Sequence, residues 1–363
     1  TTIILAAAMP AAMHYIGVLC IVHFQAKRLG LKGLPEEEIP KLFNVIKRGW
    51  PASIPLVVLI YVLFSGFSPH MAAFWGITSA LAVGFLNPMH RLSIADVLDG
   101  CVLGVKYALS VGAVVAAIGI VVGVVNSTGL GFRLGFMVTS ASLTLAENIF
   151  SVIQYIPLMQ ISVPELTLFI SLVLIALTCI LMGAGLPTTA LYIMLATVAQ
   201  PALADLGIPP LASHLFVLYY GVISEITPPV CASAYAAAGI AGADPFKTGV
   251  AAFSFGIAKL MVPMVFVYSP AMLIVLDEYF TWGAFFETTV TCAVGVTMMA
   301  TAISGFMLAP MPTLFRWIMA LAAVLMVAPG INTDLYALVF ALPVLIQQVA
   351  ANKKTMQNSS DNA

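Results

Sequence analysis

The residues with the clearest capacity for chemistry lie in the hexapeptide Ser224–Pro229, which interrupts a hydrophobic stretch from His214 to Ala241. The hexapeptide combines a glutamate, a serine and a threonine with two consecutive prolines. Each proline lacks a backbone N–H donor and disfavours the helical conformation of the residue before it. In lipid, backbone groups freed by such a break need partners in protein or in a water-filled cavity. Because secondary transporters build ion and substrate sites from broken membrane helices, the hexapeptide predicts a carrier.

Two other interruptions, at 126–131 and 183–189, also join helix-breaking residues to hydroxyl or amide side chains. Backbone carbonyls and Ser or Thr hydroxyls can replace the water around a sodium ion without adding charge. A half-helix that begins at Pro228 would also point free N–H groups and a positive dipole end into the break, which suits a carboxylate. A packing kink is the better explanation of a single break, but three neighbouring breaks with hydroxyls favour a binding site.

Glu225 is the acid placed deepest in apolar sequence. An ionisable side chain at membrane depth is costly and indicates a functional site. Three roles fit: a cation ligand, a proton relay, or an ion pair with Lys259 from the next helix. A structural ion pair and a position near the membrane interface are the alternatives to a functional role.

The composition explains why these breaks must be positioned by membrane helices. The 363 residues are 61% hydrophobic and only 8% charged, with a mean hydropathy of +1.07. Soluble domains carry about 25% charged residues, so the chain is predicted to be an all-α polytopic membrane protein. A net charge of −1 excludes a basic surface for nucleic acid. The five cysteines are scattered through apolar segments and suggest buried core residues.

A membrane-spanning helix needs about 20 apolar residues. On that rule, apolar spans are predicted at 3–24, 51–68, 71–87, 166–183, 247–275, 288–309, 315–329 and 334–349. The connection from Gln25 to Gly49 is rich in Lys and Arg, which predicts a cytoplasmic position and a surface helix over 36–48. Residues 92–109 are amphipathic and fit either an interfacial arm or a span. The segments flanking 126–131 are short for full crossings, which suggests a re-entrant hairpin.

Two motifs resemble those of one transporter family. The segment Gly183–Ile193 (GAGLPTTALYI) resembles the GxGLPTTAxYI signature of fused permeases of tripartite ATP-independent periplasmic (TRAP) transporters. His214–Gly221 followed by Ser224–Val230 resembles the second signature of the same family, and 26–35 and 236–249 are also similar. The similarity covers most of 1–275 and is greatest to the subgroup that works with TAXI-type binding proteins.

The resemblance implies a permease of the bacterial inner membrane that receives solute from a periplasmic TAXI-type binding protein. It also implies small-subunit helices, fused upstream or separate, a sodium gradient as driving force, and small carboxylates as substrates. The expected fold is an elevator-type transporter with inverted repeats of re-entrant hairpins and broken helices. No further cofactor and no enzymatic activity are expected.

The residues and the resemblance together predict an organisation along the chain. Residues 1–24 form the end of a first repeat, 25–50 a cytoplasmic linker with a surface helix, and 51–110 scaffold and arm helices. Residues 111–275 form the second half of the transport domain, with a hairpin at 112–142 and a broken helix at 212–241. Additional membrane helices follow at 276–350, and 351–363 form a disordered tail. The first hairpin and its broken helix are not found in these residues, and the chain starts at Thr1. We therefore expect it to be the later part of a longer protein, with half of the site supplied from upstream.

Carried onto this sequence, the resemblance places the ion and substrate site at the hairpin tip, the first signature and the broken helix. The residues concerned are Asn126, Ser127, Thr128, Gly129, Gly185, Pro187, Thr188, Thr189, Gly221, Ser224, Glu225, Thr227 and Pro228. For Na⁺, the expected contacts are Thr128, Gly221, Ser224 and Thr227.

Three alternative functions were compared with the permease. A sodium–carboxylate symporter that needs no binding protein would use the same breaks. An intramembrane enzyme using Ser224 with His214 has little support, because the sequence contains neither a GxSxG nor an HExxH motif. The polar breaks argue against a purely structural membrane subunit.

Overall fold

The chain is built from helices joined by short turns, as expected where lipid leaves the backbone few other ways to pair its polar groups. The computed structural model describes residues 2–33, 35–86, 91–155, 162–183, 186, 188–328 and 330–361, and no β-strand occurs among them. The described helices are α1 (Thr2–Arg28), α2 (Leu42–Phe64), α3 (Pro69–Leu86), α4 (Ile94–Thr128), α5 (Leu130–Ile153), α6 (Val163–Met182), α7 (Thr188–Asp205), α8 (Pro210–Ile223), α9 (Ala232–Ala241), α10 (Pro245–Gly256), α11 (Met261–Tyr268), α12 (Trp282–Ser304), α13 (Thr313–Leu325) and α14 (Ile331–Asp361).

Seven described segments are long and apolar enough to cross a membrane, which confirms the prediction of an all-α polytopic membrane protein. They are Thr2–Arg28, Pro69–Leu86, Ile94–Val125, Val163–Met182, Pro245–Tyr268, Trp282–Ser304 and Asn332–Lys353. The segment Pro245–Tyr268 is not one regular helix, because a 3₁₀ turn at Ile257–Leu260 joins α10 to α11. A second 3₁₀ turn, Pro270–Leu273, follows α11.

The helices group into two units, one formed by 1–4 and 32–113 and the other by 5–31 and 114–363. In the smaller unit α2 packs against α3, where an added Cβ on Gly76 would lie 3.4 Å from Leu59. The first turn of α4 is fixed by a reciprocal cap, because the Ser93 hydroxyl accepts from the Asp96 N–H and the Asp96 carboxylate accepts from the Ser93 N–H.

The larger unit holds the core and all of the interrupted helices described below. Its buried residues come mainly from α6, α7, α8, α11 and α12, with α1 packed against them. Small residues allow close helix approach: an added Cβ on Gly17 of α1 would lie 2.6 Å from Val296 of α12. Helix α6 begins with a complete capping box between Ser162 and Glu165.

Three segments are more continuous than the sequence suggests. Of the predicted surface helix at 36–48, residues 42–48 form the first turns of α2, which begins at Leu42, and 36–41 lie in the turns before it. The amphipathic stretch 92–109 and the first hairpin arm form one helix of 35 residues, α4. Helix α14 continues to Asp361, through most of the tail predicted to be disordered. In each case extending an existing helix costs less than starting a new one, so amphipathic and polar turns join the apolar helix beside them.

Candidate functional site

The predicted break in the hydrophobic stretch 214–241 is present in the structure. Helix α8 ends at Ile223, a 3₁₀ turn covers Ser224–Ile226, and α9 begins only at Ala232. The bond between Pro228 and Pro229 is cis. Helices α8 and α9 have 14 and 10 residues, so each is shorter than the ~20 residues that cross a bilayer. They are therefore half-helices that meet inside the larger unit.

The hydroxyls of the break satisfy the carbonyls released at the end of α8. The Ser224 hydroxyl donates to the Gly221 carbonyl at 2.6 Å, and the Thr227 hydroxyl donates to the Ile223 carbonyl at 2.9 Å. Both hydroxyl oxygens keep lone pairs that a cation could use. In this structure Ser224, Thr227 and Gly221, three of the four residues predicted to contact Na⁺, therefore belong to one hydrogen-bonded turn.

Glycines hold neighbouring helices against the break. An added Cβ on Gly183, just after α6, would lie 2.5 Å from the Ser224 hydroxyl oxygen. An added Cβ on Gly256, at the end of α10, would lie 2.7 Å from Ile226. A Cβ on Gly183 would also lie 2.8 Å from the Ser224 Cβ and 2.9 Å from the Cys179 carbonyl, so a larger residue there would require a shift of the break. At Gly256, by contrast, a rotation of the Ile226 side chain could make room.

The interruptions at 183–189 and 224–229 meet at Glu225. The Thr188 hydroxyl, at the first residue of α7, donates to one Glu225 carboxylate oxygen at 2.6 Å. The Ser233 hydroxyl, in the first turn of α9, donates to the other oxygen at 3.5 Å. Helix N-termini favour negative charge nearby, so the ends of α7 and α9 both complement this carboxylate.

Glu225 and its two hydroxyl partners line a cavity of about 710 Å³ within the larger unit. Its other polar lining residues are His14, Tyr15, Tyr219 and Lys259, and the remaining wall is aliphatic. The volume is in the range of small-molecule sites, which are mostly apolar with a few placed polar groups. The cavity can therefore hold a small organic molecule beside a carboxylate and an ammonium group.

Helix α1 contributes polar groups that the sequence interpretation did not select. His14 contacts the Tyr219 ring edge-on, with centroids 4.7 Å apart, and the Tyr219 hydroxyl donates to the Ala7 carbonyl at 3.1 Å. The His14 Nε2 atom is buried and has no hydrogen-bond partner among the described residues. A histidine inside a long apolar stretch was the only sequence signal for this position.

Lys259 lies in the 3₁₀ turn between α10 and α11, half-buried at the cavity wall. Within the described ranges its ammonium group makes no hydrogen bond or ion pair. The pairing of Glu225 with Lys259, one of the roles considered from the sequence, is thus not formed, and both carboxylate oxygens instead accept from hydroxyls.

The predicted hairpin tip does not contribute to this cavity. The Ser127 and Thr128 hydroxyls donate back to the Gly123 and Val124 carbonyls of α4, and Gly129 links α4 to α5 with a φ of 64°. None of these three predicted site residues lines the cavity.

The other predicted site residues are distributed as follows. Thr189 is exposed in the first turn of α7, Gly221 packs against Leu191 and Leu195, and Pro228 is half-buried beside Gly249. The side chain of Asn126, and the residues Gly185 and Pro187, lie outside the described part of the chain.

Ser224 and His214, considered from the sequence as a nucleophile and base, are bonded to different partners. The Ser224 hydroxyl donates to the Gly221 carbonyl, and His214 Nδ1 lies 2.9 Å from the Tyr192 hydroxyl. This arrangement lacks the direct nucleophile–base hydrogen bond of a catalytic pair.

Comparison with known proteins gives one family match. Residues 1–282 match the family described as Tripartite ATP-independent periplasmic transporter, DctM component. The match covers both signatures and every residue of the cavity. No curated protein and no solved structure matches the chain.

Proposed function

The chain belongs to the DctM component family of tripartite ATP-independent periplasmic transporters, and from this premise we propose that it is the permease of a sodium-driven uptake system for small organic anions. Family membership implies a periplasmic solute-binding protein as partner and a membrane as environment. The TAXI type of that partner, the bacterial inner membrane and the carboxylate class of substrate are parts of the proposal, supported by the two signatures.

The observation that carries the proposal is the convergence of two chain breaks on Glu225 in a cavity. Sodium prefers oxygen ligands, and this point offers a carboxylate and the Thr188 and Ser233 hydroxyls. A carboxylate contributes charge as well as oxygen, so a cation bound here would compensate a negative group in an apolar setting. We infer that Na⁺ binds beside Glu225 and that the organic anion occupies the adjoining cavity.

The transport cycle is proposed to be an elevator movement of the domain that carries these breaks. The support is that α6, α8, α9 and α10 all contact the turn Ser224–Ile226, with close approaches at Gly183 and Gly256. Such packing would let the site move as one body, and the hairpin at 112–142 is proposed to close it.

The test is uptake by the full-length protein in proteoliposomes, supplied with its cognate binding protein and a panel of radiolabelled organic acids. We expect uptake that needs both the binding protein and an inward sodium gradient, and that falls to background with choline in place of sodium. Uptake without the binding protein would instead support a symporter that acts alone. Equal uptake in choline would contradict sodium coupling.

A further inference from the structure

Lys259 carries a charge for which the described residues provide no partner. Its side chain lines the cavity from the turn Ile257–Leu260, and among the described residues it makes neither a hydrogen bond nor an ion pair. A lysine at membrane depth is costly unless it is paired or reaches water. An anion that enters the cavity would supply the missing counter-charge.

Glu225 does not serve as that partner. Its two carboxylate oxygens accept from Thr188 and Ser233, and these contacts hold it at the ends of α7 and α9. The cavity therefore has a negative group held at one place and an unpaired positive group at another. His14, whose Nε2 atom is also unpartnered, lines the same cavity.

We propose that Lys259 binds the carboxylate of the transported substrate and that the cavity selects monocarboxylates with an apolar body. This inference rests on the proposed function and assigns its substrate class. The Leu218 and Val222 side chains of the cavity wall face the apolar part of the substrate.

The charges in the cavity explain the preference for one carboxylate. With Na⁺ at Glu225, the cavity retains the single positive charge of Lys259, which one carboxylate neutralises. A dicarboxylate would bring a second negative charge that no group of the cavity compensates, and burying an unpaired charge is costly. The aliphatic wall offers that second carboxylate no hydrogen bonds and instead favours an apolar group.

The proposal is tested by binding to the purified full-length protein in nanodiscs, without the binding protein. The probes are three five-carbon compounds: pentanoate, glutarate and 1-pentanol. Dissociation constants in sodium chloride follow from the ligand-dependent shift in melting temperature. We expect pentanoate to bind at least about tenfold more tightly than either glutarate or pentanol. Equal affinities for pentanoate and glutarate would overturn the monocarboxylate preference.

Two substitutions test the role of Lys259 itself. Lys259→Met removes the charge but keeps an unbranched chain, and should weaken pentanoate binding by about thirtyfold or more while pentanol binding stays the same. Lys259→Arg keeps the charge and should retain most of the pentanoate affinity. Lys247→Met, on the exposed face of α10, is the matched control. Unchanged pentanoate affinity in Lys259→Met, or its loss in a folded Lys259→Arg, would overturn the assignment.

Uptake by the whole system separates this inference from the proposed function. Binding-protein-dependent uptake of the cognate acid that is unaffected by Lys259→Met would overturn the inference alone. Lys259-dependent binding of pentanoate without any uptake in the reconstituted system would count against the proposed function alone.

Discussion

At the scale of single residues, the hydrogen bond from Thr188 to Glu225 joins the two sequence signatures through residues that are 37 positions apart in the chain. The sequence points to Thr188 through the polar break at 183–189 and the first signature, and to Glu225 as an acid deep in apolar sequence. Their contact could not be read from the sequence, since it depends on how α7 and α8 pack. His14 and Tyr219 were missed for the same reason: the cavity brings α1 beside α8, which lies about two hundred residues later in the chain.

Replacing Glu225 with Gln tests whether its charge is needed. Glutamine keeps an oxygen that can accept from Thr188, so the fold should be preserved while the negative charge is lost. We expect the sodium concentration for half-maximal uptake to rise by about tenfold or more, because hydrogen bonds and contacts to charged groups contribute about 1.5–3 kcal/mol.

Uptake is measured in proteoliposomes over a range of sodium concentrations, with Glu278→Gln in an exposed turn as the control. A Glu225→Gln protein with the normal sodium dependence would show that the acid has a structural role only.

Replacing Thr188 with Val separates the orientation of the carboxylate from its charge. Valine has nearly the same shape but cannot donate, so the 2.6 Å hydrogen bond to Glu225 is lost and the carboxylate is held by Ser233 alone. We expect a smaller rise in the sodium requirement than with Glu225→Gln, and a loss of stability of about 1 kcal/mol.

The matched control is Thr197→Val, on the same helix, whose hydroxyl donates only to the Ile193 carbonyl of its own helix. If both threonine variants change sodium dependence equally, the contact with Glu225 is not the cause.

At the scale of helices and turns, the end of α6 and the break after α8 are fitted to each other. Gly183→Ala would place a Cβ 2.5 Å from the Ser224 hydroxyl oxygen and 2.8 Å from its Cβ. Overpacking of this kind costs about 1–3 kcal/mol, so we expect a lower melting temperature in nanodiscs and reduced uptake.

Gly239→Ala is the matched control, since no atom lies within 4 Å of its added Cβ. Adding Ser224→Gly to Gly183→Ala should restore part of the melting temperature. The recovery should be incomplete because the Cys179 carbonyl remains 2.9 Å from the new Cβ. An unchanged melting temperature in Gly183→Ala would refute the close fit of α6 to the break.

The two prolines of the break provide a second test at this scale. Replacing both Pro228 and Pro229 with Ala restores two N–H donors, which can then bond to carbonyls four residues earlier and extend α8. That extension would move Glu225 away from Ser233 and Thr188, so we expect uptake to be abolished while the protein still inserts and folds.

The control is a double variant with Pro51→Ala and Pro55→Ala, two prolines inside α2. It tests whether replacing two helix prolines with alanine is harmful in itself, and it should keep sodium-dependent uptake. Normal uptake by the Pro228 and Pro229 variant would show that the broken helix is not required for transport.

The element scale also shows where sequence patterns are informative. Prolines and hydroxyls located the break at 224–229 because each acts on the local backbone. The sequence pattern predicts two separate segments where the structure has the single helix α4, and it predicts an end of α14 before the helix actually ends. The reason is that the boundary between an apolar segment and an amphipathic or polar one does not itself end a helix.

At the scale of the whole molecule, composition was sufficient for the class of protein and insufficient for its packing. Hydropathy predicted an all-α membrane protein because lipid excludes most other backbone structures. The cavity could not be predicted, since its wall joins α1 to the turn at Lys259 through contacts between segments far apart in the chain. The domain map and the sodium contacts stay predictions, to be tested by transport.

The orientation of the chain in the membrane follows from one cluster of charges and one long-range hydrogen bond. The segment Gln25–Gly49, which covers the end of α1, the connection after it and the start of α2, is rich in Lys and Arg, which predicts that it faces the cytoplasm. The Arg28 guanidinium donates to the Ser304 carbonyl at 2.7 Å, so the end of α12 lies on the same side as the end of α1.

Single cysteines at two exposed positions test this orientation in a variant whose five native cysteines are replaced by Ala. Leu31→Cys follows α1 and Leu308→Cys follows α12, and both side chains are exposed. We expect a membrane-impermeant maleimide to label both positions in inside-out vesicles and neither in right-side-out vesicles. Labelling of both from the periplasmic side would contradict the cytoplasmic assignment. Labelling from opposite sides would contradict the contact between Arg28 and Ser304, because a hydrogen bond cannot join residues across a bilayer about 30 Å thick.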